Sequence, residues 1–255
     1  MAQADFSLDG KTAIVTGSSR GIGEAIARGF AENGATVVLV SRKQEALDAV
    51  AESINSEGKG KAIAIACHTG KADQIEALFE RVKSECGALD ILVNNSATNP
   101  YFGAAVDCPD WAFDKTFEVN VKGYFMMTQH AGRIMAEQGS GSIINVASIA
   151  GISPGPFQVV YSMTKAAVIN MTQGFAKELG PQGVRVNAIA PGLVETKFAA
   201  ALVENPEILK MHNEVTPMKR HAQPNEIVGA ALYLASDASS FSTGSVIVCD
   251  GGATA

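Results

Sequence analysis

The chain has 255 residues, of which 47% are hydrophobic and 18% charged, with a formal net charge of −6. That length suits one α/β domain, and the composition supports a sizeable buried core and argues against disorder. The acidic balance argues against an exposed polyanion such as nucleic acid as a partner.

The start of the chain up to Lys11 lacks the basic stretch and apolar run of a signal peptide. No run of ~18 apolar residues offers a membrane span. Cys67, Cys86, Cys108 and Cys249 are scattered without C-x-x-C spacing, and the histidines form no cluster. Reduced thiols in a cytoplasmic protein without a metal site are the expectation.

Short β-branched runs alternate with longer amphipathic stretches. Strands are expected at 12–16, 36–40, 62–66, 91–93, 142–146, 184–190 and 245–248. Their residues are apolar on both faces, as in a covered parallel sheet. Helices are expected at 22–33, 44–57, 73–86, 110–138 (as two helices), 159–179 and 225–235. Gly34, Gly58, Gly87, Gly139 and Gly180 stand at helix ends, where left-handed backbone is called for. The alternation predicts an α/β fold: a doubly wound, seven-stranded parallel sheet of Rossmann type in a single domain, 1–255. Residues 192–223 form a connection of unusual length, read as a small helical lid over a site.

After the first strand comes Thr16-Gly17-Ser18-Ser19-Arg20-Gly21-Ile22-Gly23, opening the first helix. Glycines permit a tight turn and close approach of a pyrophosphate, and the helix N-terminus supplies free N–H donors. Glycines also serve ordinary turns, but the strand–turn–helix context favours a dinucleotide. The end of the second strand then bears on which one. An NAD site commonly has Asp or Glu there for the ribose 2′-hydroxyl. This chain has Ser41-Arg42-Lys43. Arg42 can hold a 2′-phosphate through its planar fork, and Arg20 can approach the same group. Arg42 and Lys43 could instead cap a strand in solvent, but two converging arginines favour NADP(H).

Farther on, Tyr161 and Lys165 are four residues apart on an expected helix, so they face the same way. A phenol normally titrates near ~10, and a nearby ammonium is expected to lower that value. Ser148 is expected to end the fifth strand, with its hydroxyl holding a substrate oxygen beside the tyrosine. A Tyr–Lys pair at this spacing is common by chance; the combination with Ser148 and the glycine turn is far more specific.

Taken together, these motifs resemble the short-chain dehydrogenase/reductase family over essentially the whole chain. The matching pieces are the turn at residues 16–23, Asn94-Asn95, Asn120, Ser148, Tyr161 with Lys165, and Pro191-Gly192. Ser41-Arg42-Lys43, Cys67-His68-Thr69-Gly70-Lys71 and Asn99-Pro100-Tyr101-Phe102-Gly103 further resemble NADP(H)-dependent carbonyl reductases of the dehydrogenase/reductase member 4 type. The resemblance implies that Tyr161 is the general acid in reduction and the base in oxidation. It implies that Lys165 lowers the pKa of Tyr161 and holds the nicotinamide ribose, while Ser148 orients the carbonyl and Asn120 positions a water leading to Lys165. Thr196 and the backbone of Val194 would bind the carboxamide, in the segment that starts at Pro191-Gly192. Ser18 and Ile22 would line the pyrophosphate, and Asn94 would support the adenosine side.

The chain departs from the family pattern in two places. Asn94-Asn95-Ser96-Ala97 carries Ala97 where many members have glycine, which puts the backbone there in doubt. His68 stands where many members have an aspartate against adenine; the N–H of Thr69 is expected to stay useful, and His68 either stacks or touches nothing.

The substrate pocket is expected from the loops after the fourth and fifth strands and from the lid. Candidates are Tyr101, Phe102, Ile149, Ser153 and Pro154, with Phe157, Gln158, Phe198, Leu202 and Met211 completing the set. Their apolar character favours a neutral, moderately hydrophobic ketone, though several could simply pack the lid. A 3-oxoacyl-thioester reductase is the enzymatic rival and would need basic groups at the entrance, for which Lys197, Lys219 and Arg220 are the nearby residues. Enoyl reduction fits less well, because enoyl reductases of the family space tyrosine and lysine further apart. A catalytically silent nucleotide sensor is the rival from another class; it would be expected to lose Ser148, Tyr161 or Lys165. Small residues Ala166, Ala167, Gly174 and Ala176 permit close helix approach, and the family resemblance implies a homotetramer with residues 251–255 near an interface.

Overall fold

The computed structural model describes residues 4–58 and 60–255, apart from the side chain of Ala201. The start of the N-terminal segment read above, Met1 to Gln3, lies outside the described residues.

Seven strands form one parallel sheet: β1 (Thr12–Thr16), β2 (Thr36–Ser41), β3 (Lys61–Ala66), β4 (Ile91–Asn94), β5 (Gly141–Val146), β6 (Val184–Pro191) and β7 (Val246–Cys249). Their order is β3-β2-β1-β4-β5-β6-β7. The winding reverses between β1 and β4, which opens a crevice at the carboxyl ends of those strands.

Side-chain alternation along each strand feeds two cores. Ala13 and Val15 of β1, with Val37 and Leu39 of β2, meet α1 (Gly21–Glu32), α2 (Gln44–Glu57) and α9 (Val228–Ala235). Ile14, Val38 and Val40 meet α3 (Ala72–Cys86) and, with Ile143 and Val186, α5 (Tyr124–Gln138) and α6 (Val159–Leu179). Both faces are covered, so the apolar character of both strand faces follows from packing.

The structure differs from expectation in three places, and a fourth segment, 192–223, is helical as expected. α4 (Asp110–Phe117) and α5 are joined by the π-helical turn Glu118–Gly123, so 110–138 is one unbroken helical path. β5 stops at Val146, and Ser148 instead caps the short 3-10 turn Ile149–Gly151, its Oγ accepting from Ala150 N at 3.1 Å. Gly180 keeps right-handed backbone and continues into a 3-10 turn; Gly183, φ 78°, makes the left-handed exit. Residues 192–223 hold α7 (Ala200–Val203) and α8 (Pro206–Val215), pinned at the base by a parallel bridge between Val194 and Ala222.

One close approach sets the geometry below. Gly151 lies so near α6 that a Cβ there would sit 2.6 Å from the Lys165 carbonyl carbon. Only a glycine lets the turn that carries Ser148 rest on the backbone of Lys165.

Candidate active site

The glycine turn forms as its sequence demands. Gly17 and Gly21 take left-handed backbone, φ 68° and 63°. A Cβ on Gly23 would meet the Gly17 carbonyl oxygen and Asn95 Nδ2, each at 2.5 Å. Arg20 stands at the N-cap of α1 without a side-chain cap, so the first N–H groups of the helix face the crevice unsatisfied. Ser19 and Ile22 are half-buried along this edge. Ser18 behaves differently from its expected role against a pyrophosphate. It is fully buried, its Oγ accepts from Val40 N at 2.9 Å, and its own N–H donates to Val40 O. Ser18 therefore fastens the turn to β2.

Asn94 also turns inward. It is buried, and its Nδ2 donates to Thr128 Oγ1 at 3.0 Å and to Asn145 Oδ1 at 2.9 Å. Its neighbour takes the turn-facing position. Asn95 Nδ2 donates to Thr16 O at 2.9 Å, and Thr16 Oγ1 accepts from the N–H groups of Asn95 and Ser96. Thr16 and Asn95 thus tie the glycine turn to the loop after β4. Ala97 lies outside the left-handed region, so alanine in place of glycine needs no backbone strain.

At the carboxyl end of β2, Ser41 is half-buried while Arg42 and Lys43 are exposed. Among the described residues, Arg20, Arg42 and Lys43 have no carboxylate partner. His68 lies on the next strand end, where Cys67 N donates to Ser41 O at 2.8 Å. Its Nδ1 accepts from Gly70 N at 3.0 Å, and its Nε2 is 3.3 Å from Lys115 Nζ. Burial first, then Lys115, lowers the His68 pKa. His68 is thus held by contacts within the chain. Thr69 beside it is buried.

The Tyr161–Lys165 pair sits at the N-terminal end of α6, both residues buried. Lys165 Nζ donates to Val146 O at 2.7 Å, and Tyr124 OH donates to the same carbonyl at 3.2 Å. The ammonium lies 5.6 Å from the Tyr161 ring centroid and 5.3 Å from that of Tyr124. The phenol's pKa does not move as the sequence suggested. Burial pushes Tyr161 up to about 12, with the Ser148 hydroxyl beside it pulling the other way. Burial likewise pushes Lys165 down to about 7. Desolvation disfavours each charged form, and here it outweighs the attraction between the pair.

Asn120 lies in the π-helical turn, fully buried. Its Oδ1 accepts from Thr98 N at 2.8 Å, and its Nδ2 donates to Thr98 O at 2.9 Å and Thr164 Oγ1 at 3.1 Å. The side chain is committed to clamping the loop after β4 onto α6, so anything it offers toward Lys165 must come from its main chain. π turns recur at functional sites because they re-aim backbone groups.

Thr196 leans over the glycine turn: a Cβ on Gly21 would meet Thr196 Cγ2 at 3.2 Å. Pro191 is buried at the end of β6, Gly192 N donates to Cys249 O, and Val194 is buried at the bridge. Of the substrate candidates, Phe198 meets Tyr161, ring centroids 5.8 Å apart, and Phe102 meets Phe157 at 6.0 Å. Tyr101 OH donates to Ala104 O, which folds it onto its own loop. Ser153 and Pro154 are exposed, while Ile149 and Gln158 are half-buried. Leu202, on α7, is half-buried; Met211, on α8, is exposed.

A doubly wound sheet with a glycine turn at its switch point, and a Ser–Tyr–Lys group beside it, defines a nucleotide-dependent oxidoreductase. Comparison with known proteins agrees. Residues 17–254 match a family model described as Enoyl-(Acyl carrier protein) reductase. Dehydrogenase/reductase SDR family member 4 from Bos taurus is 40% identical over 245 residues, which cover 96% of this chain and 88% of that protein. The 3-oxoacyl-(acyl-carrier-protein) reductase of Aquifex aeolicus is 38% identical over 249 residues, covering 97% and 99%. A gluconate 5-dehydrogenase from Burkholderia cenocepacia, crystallised in complex with NADP and tartrate, superposes with a TM-score of 0.95 at 34% identity and covers 98% of each chain. The chain belongs to the short-chain dehydrogenase/reductase family, and it is an oxidoreductase. No helix among the described residues is long and apolar enough to cross a membrane.

Sequence reasoning missed Tyr124, Thr164 and Thr98 as parts of this site. Each is an ordinary residue type, and only the packing of α5, α6 and the loop after β4 reveals it.

The Lys165 pKa carries a stability consequence. It is about 7 in the folded chain against 10.5 for a free lysine. Between those values the unfolded chain holds a proton that the folded chain has shed, so raising the pH through that interval favours folding. Lys165→Met is expected to remove this rise, as read from urea midpoints across pH 7 to 10. An unchanged pH profile in the variant would contradict the assignment.

Proposed function

We propose that the protein is an NADP(H)-dependent reductase that converts a neutral, moderately hydrophobic ketone to its secondary alcohol, and runs the reverse reaction with the alcohol. The observation that carries this reading is geometric: Tyr161 and Lys165 lie together at the start of α6, with Ser148 on the turn that Gly151 lays against the backbone of Lys165. A phenol pushed up to about 12 keeps its proton at neutral pH, as a general acid for reduction must.

Two features fit the dinucleotide phosphate. The uncapped N-terminus of α1 behind Gly17 and Gly21 suits a pyrophosphate. Arg20 and Arg42, without carboxylate partners among the described residues, suit a 2′-phosphate. Ser19, Ile22, Ser41, Lys43, Thr69, Ser96, Ala97 and the 191–196 segment complete the reading. When bound, NADPH supplies the hydride that adds to the carbonyl carbon. Ser148 orients the carbonyl oxygen, and Tyr161 gives that oxygen its proton. The phenolate that remains is stabilised by the Lys165 ammonium. With its pKa about 7, Lys165 is poised to pass a proton on at neutral pH.

The family model's description names enoyl reduction, but the four-residue Tyr–Lys spacing favours carbonyl chemistry. The Aquifex relative favours a second reading, reduction of a 3-oxoacyl thioester. The basic residues it would call on are mostly engaged: Arg220 pairs with Glu226, and Lys219 Nζ donates to Glu214 O. Lys197 remains exposed. Small ketones are therefore expected to outpace acetoacetyl-coenzyme A. A silent nucleotide sensor is disfavoured by the preserved Ser148, Tyr161 and Lys165.

We also read the assembly as a homotetramer. Trp111, Phe113, Phe125, Val159 and Met163 leave apolar surface exposed on α4, α5 and α6, and a Cβ on Gly174 would meet nothing. Phe241 is fully exposed near β7. Burial of such surface between copies is the simplest account of it. The free cysteines suit the cytoplasm.

Tyr161→Phe is expected to keep NADPH binding and lose about 10²–10⁴-fold in kcat on a ketone panel that includes acetoacetyl-coenzyme A; near-normal turnover would refute the role. Arg42→Ala is expected to raise the Kd for NADPH about tenfold or more while leaving that for NADH nearly unchanged. Equal effects on both cofactors would remove the phosphate assignment. Light scattering is expected to give four copies, and a monomer would overturn the assembly.

A further inference from the structure

Lys165 is buried without a counter-charge. Among the described residues it pairs with no carboxylate. Its Nζ donates to a neutral acceptor, the Val146 carbonyl, at 2.7 Å. Burial pushes its pKa down to about 7, so ammonium and free amine are nearly balanced at neutral pH. Only the ammonium can stabilise a phenolate at Tyr161. At such a balance point, a modest preference for one form decides how much of the protein can act.

Several elements pack around this amine. β5 offers the Val146 carbonyl, α6 the Tyr161 ring at 5.6 Å, and α5 the Tyr124 ring at 5.3 Å. The turn at 149–151 has no ionisable side chain. The π turn carries Glu118, which pairs with Lys115 and Lys71, and Lys122, which is exposed. Tyr161 gives up its proton in the reaction, whereas Tyr124 stands outside it, buried. The Tyr124 hydroxyl donates to Val146 O at 3.2 Å, long for an O–H donor. Hydrogen bonding alone is a weak reason to bury a phenol here. Nor does Tyr124 supply negative charge: burial, then Tyr161, hold its pKa well above the usual phenol value. What it does supply is an aromatic face within ~6 Å of a cation, an attraction that strengthens when both are desolvated.

We propose that Tyr124 is a positioning residue for the reaction: its ring face holds Lys165 in the cationic form beside Tyr161. It acts through the lysine and touches no reacting atom. The catalytic consequence rests on the carbonyl-reductase reading given above; the hold on the ammonium does not. The sign of the effect is fixed. Weakening the ring face disfavours the ammonium, so Lys165 sheds its proton at a lower pH. Turnover that needs the ammonium then falls off at a lower pH as well.

Three variants isolate the ring face: Tyr124→Phe as reference, the same variant with a trifluorinated ring, and Tyr124→Leu. Fluorination strips the negative face while nearly keeping the shape. Two readouts are followed across pH 5 to 10. One is kcat with NADPH on cyclohexanone, or on acetoacetyl-coenzyme A should that be faster. The other is the urea midpoint, which rises with pH once folded Lys165 has shed a proton that the unfolded chain keeps. The alkaline fall in kcat and the onset of the midpoint rise are both expected about one pH unit lower in the fluorinated and leucine variants than in Tyr124→Phe. Unmoved profiles in both would overturn the proposal. A shift with leucine but none with fluorine would also overturn it, because packing would then be the cause. The fluorinated ring decides the matter even if Tyr124→Leu fails to fold. A midpoint shift without a kcat shift would support the hold on the ammonium and overturn the role of Lys165 in turnover. A wild type that reduces no ketone on a wider panel would refute the carbonyl-reductase reading, and the urea midpoints would still decide whether Tyr124 holds the charge.

Discussion

The site depends on one buried ammonium. Lys165 has its Nζ held by the Val146 carbonyl at 2.7 Å, out of reach of solvent. An isolated buried charge is costly, and its pKa moves to relieve that cost. The protein accepts this because the carbonyl that anchors Lys165 ends β5 at the crevice. From that point the rest follows in order. The chain must leave β5, turn through Ser148 and lay Gly151 directly on the backbone of α6. Tyr161, one turn earlier on α6, then has no choice but to share the ammonium's surroundings.

The same constraint explains the helical path beside it. Tyr124 places its ring under the ammonium and shares the Val146 carbonyl. The π turn just before Tyr124 sends Asn120 inward, where it binds the Thr98 backbone through both ends of its amide. A widened turn, a buried amide and a buried phenol look like separate curiosities. Together they tie the loop after β4 to the start of α6, which holds Tyr161 and Lys165 in a fixed relation to that loop.

Much of this was legible in the sequence. The strands read correctly because a covered parallel sheet leaves an apolar signature on both faces, and the glycine turn read correctly because Gly17 and Gly21 both need left-handed backbone. The direction a polar side chain faces was not legible. Ser18 and Asn94 stand in motif positions that suggest ligand contact, yet both turn inward, and Asn95 takes the outward bracing role. A motif gives spacing but not which side of a turn meets the core. The Tyr161 pKa moved opposite to expectation for a related reason. Proximity of a cation is visible in a four-residue spacing, whereas desolvation depends on everything packed around the pair. The π turn leaves no periodic trace, since it is imposed by tertiary contacts on an ordinary helical sequence.

The Val194–Ala222 bridge ties together the two ends of a long excursion from the sheet. Because Leu193, Glu195 and Ala222 exchange backbone hydrogen bonds at its neck, α7 and α8 hang from a closed hoop. Lengthening or shortening a closed hoop costs little chain entropy and leaves its anchor points where they were. The excursion is thus a natural cartridge: α7 and α8 could be exchanged for those of a relative with Ser148, Tyr161 and Lys165 left in register.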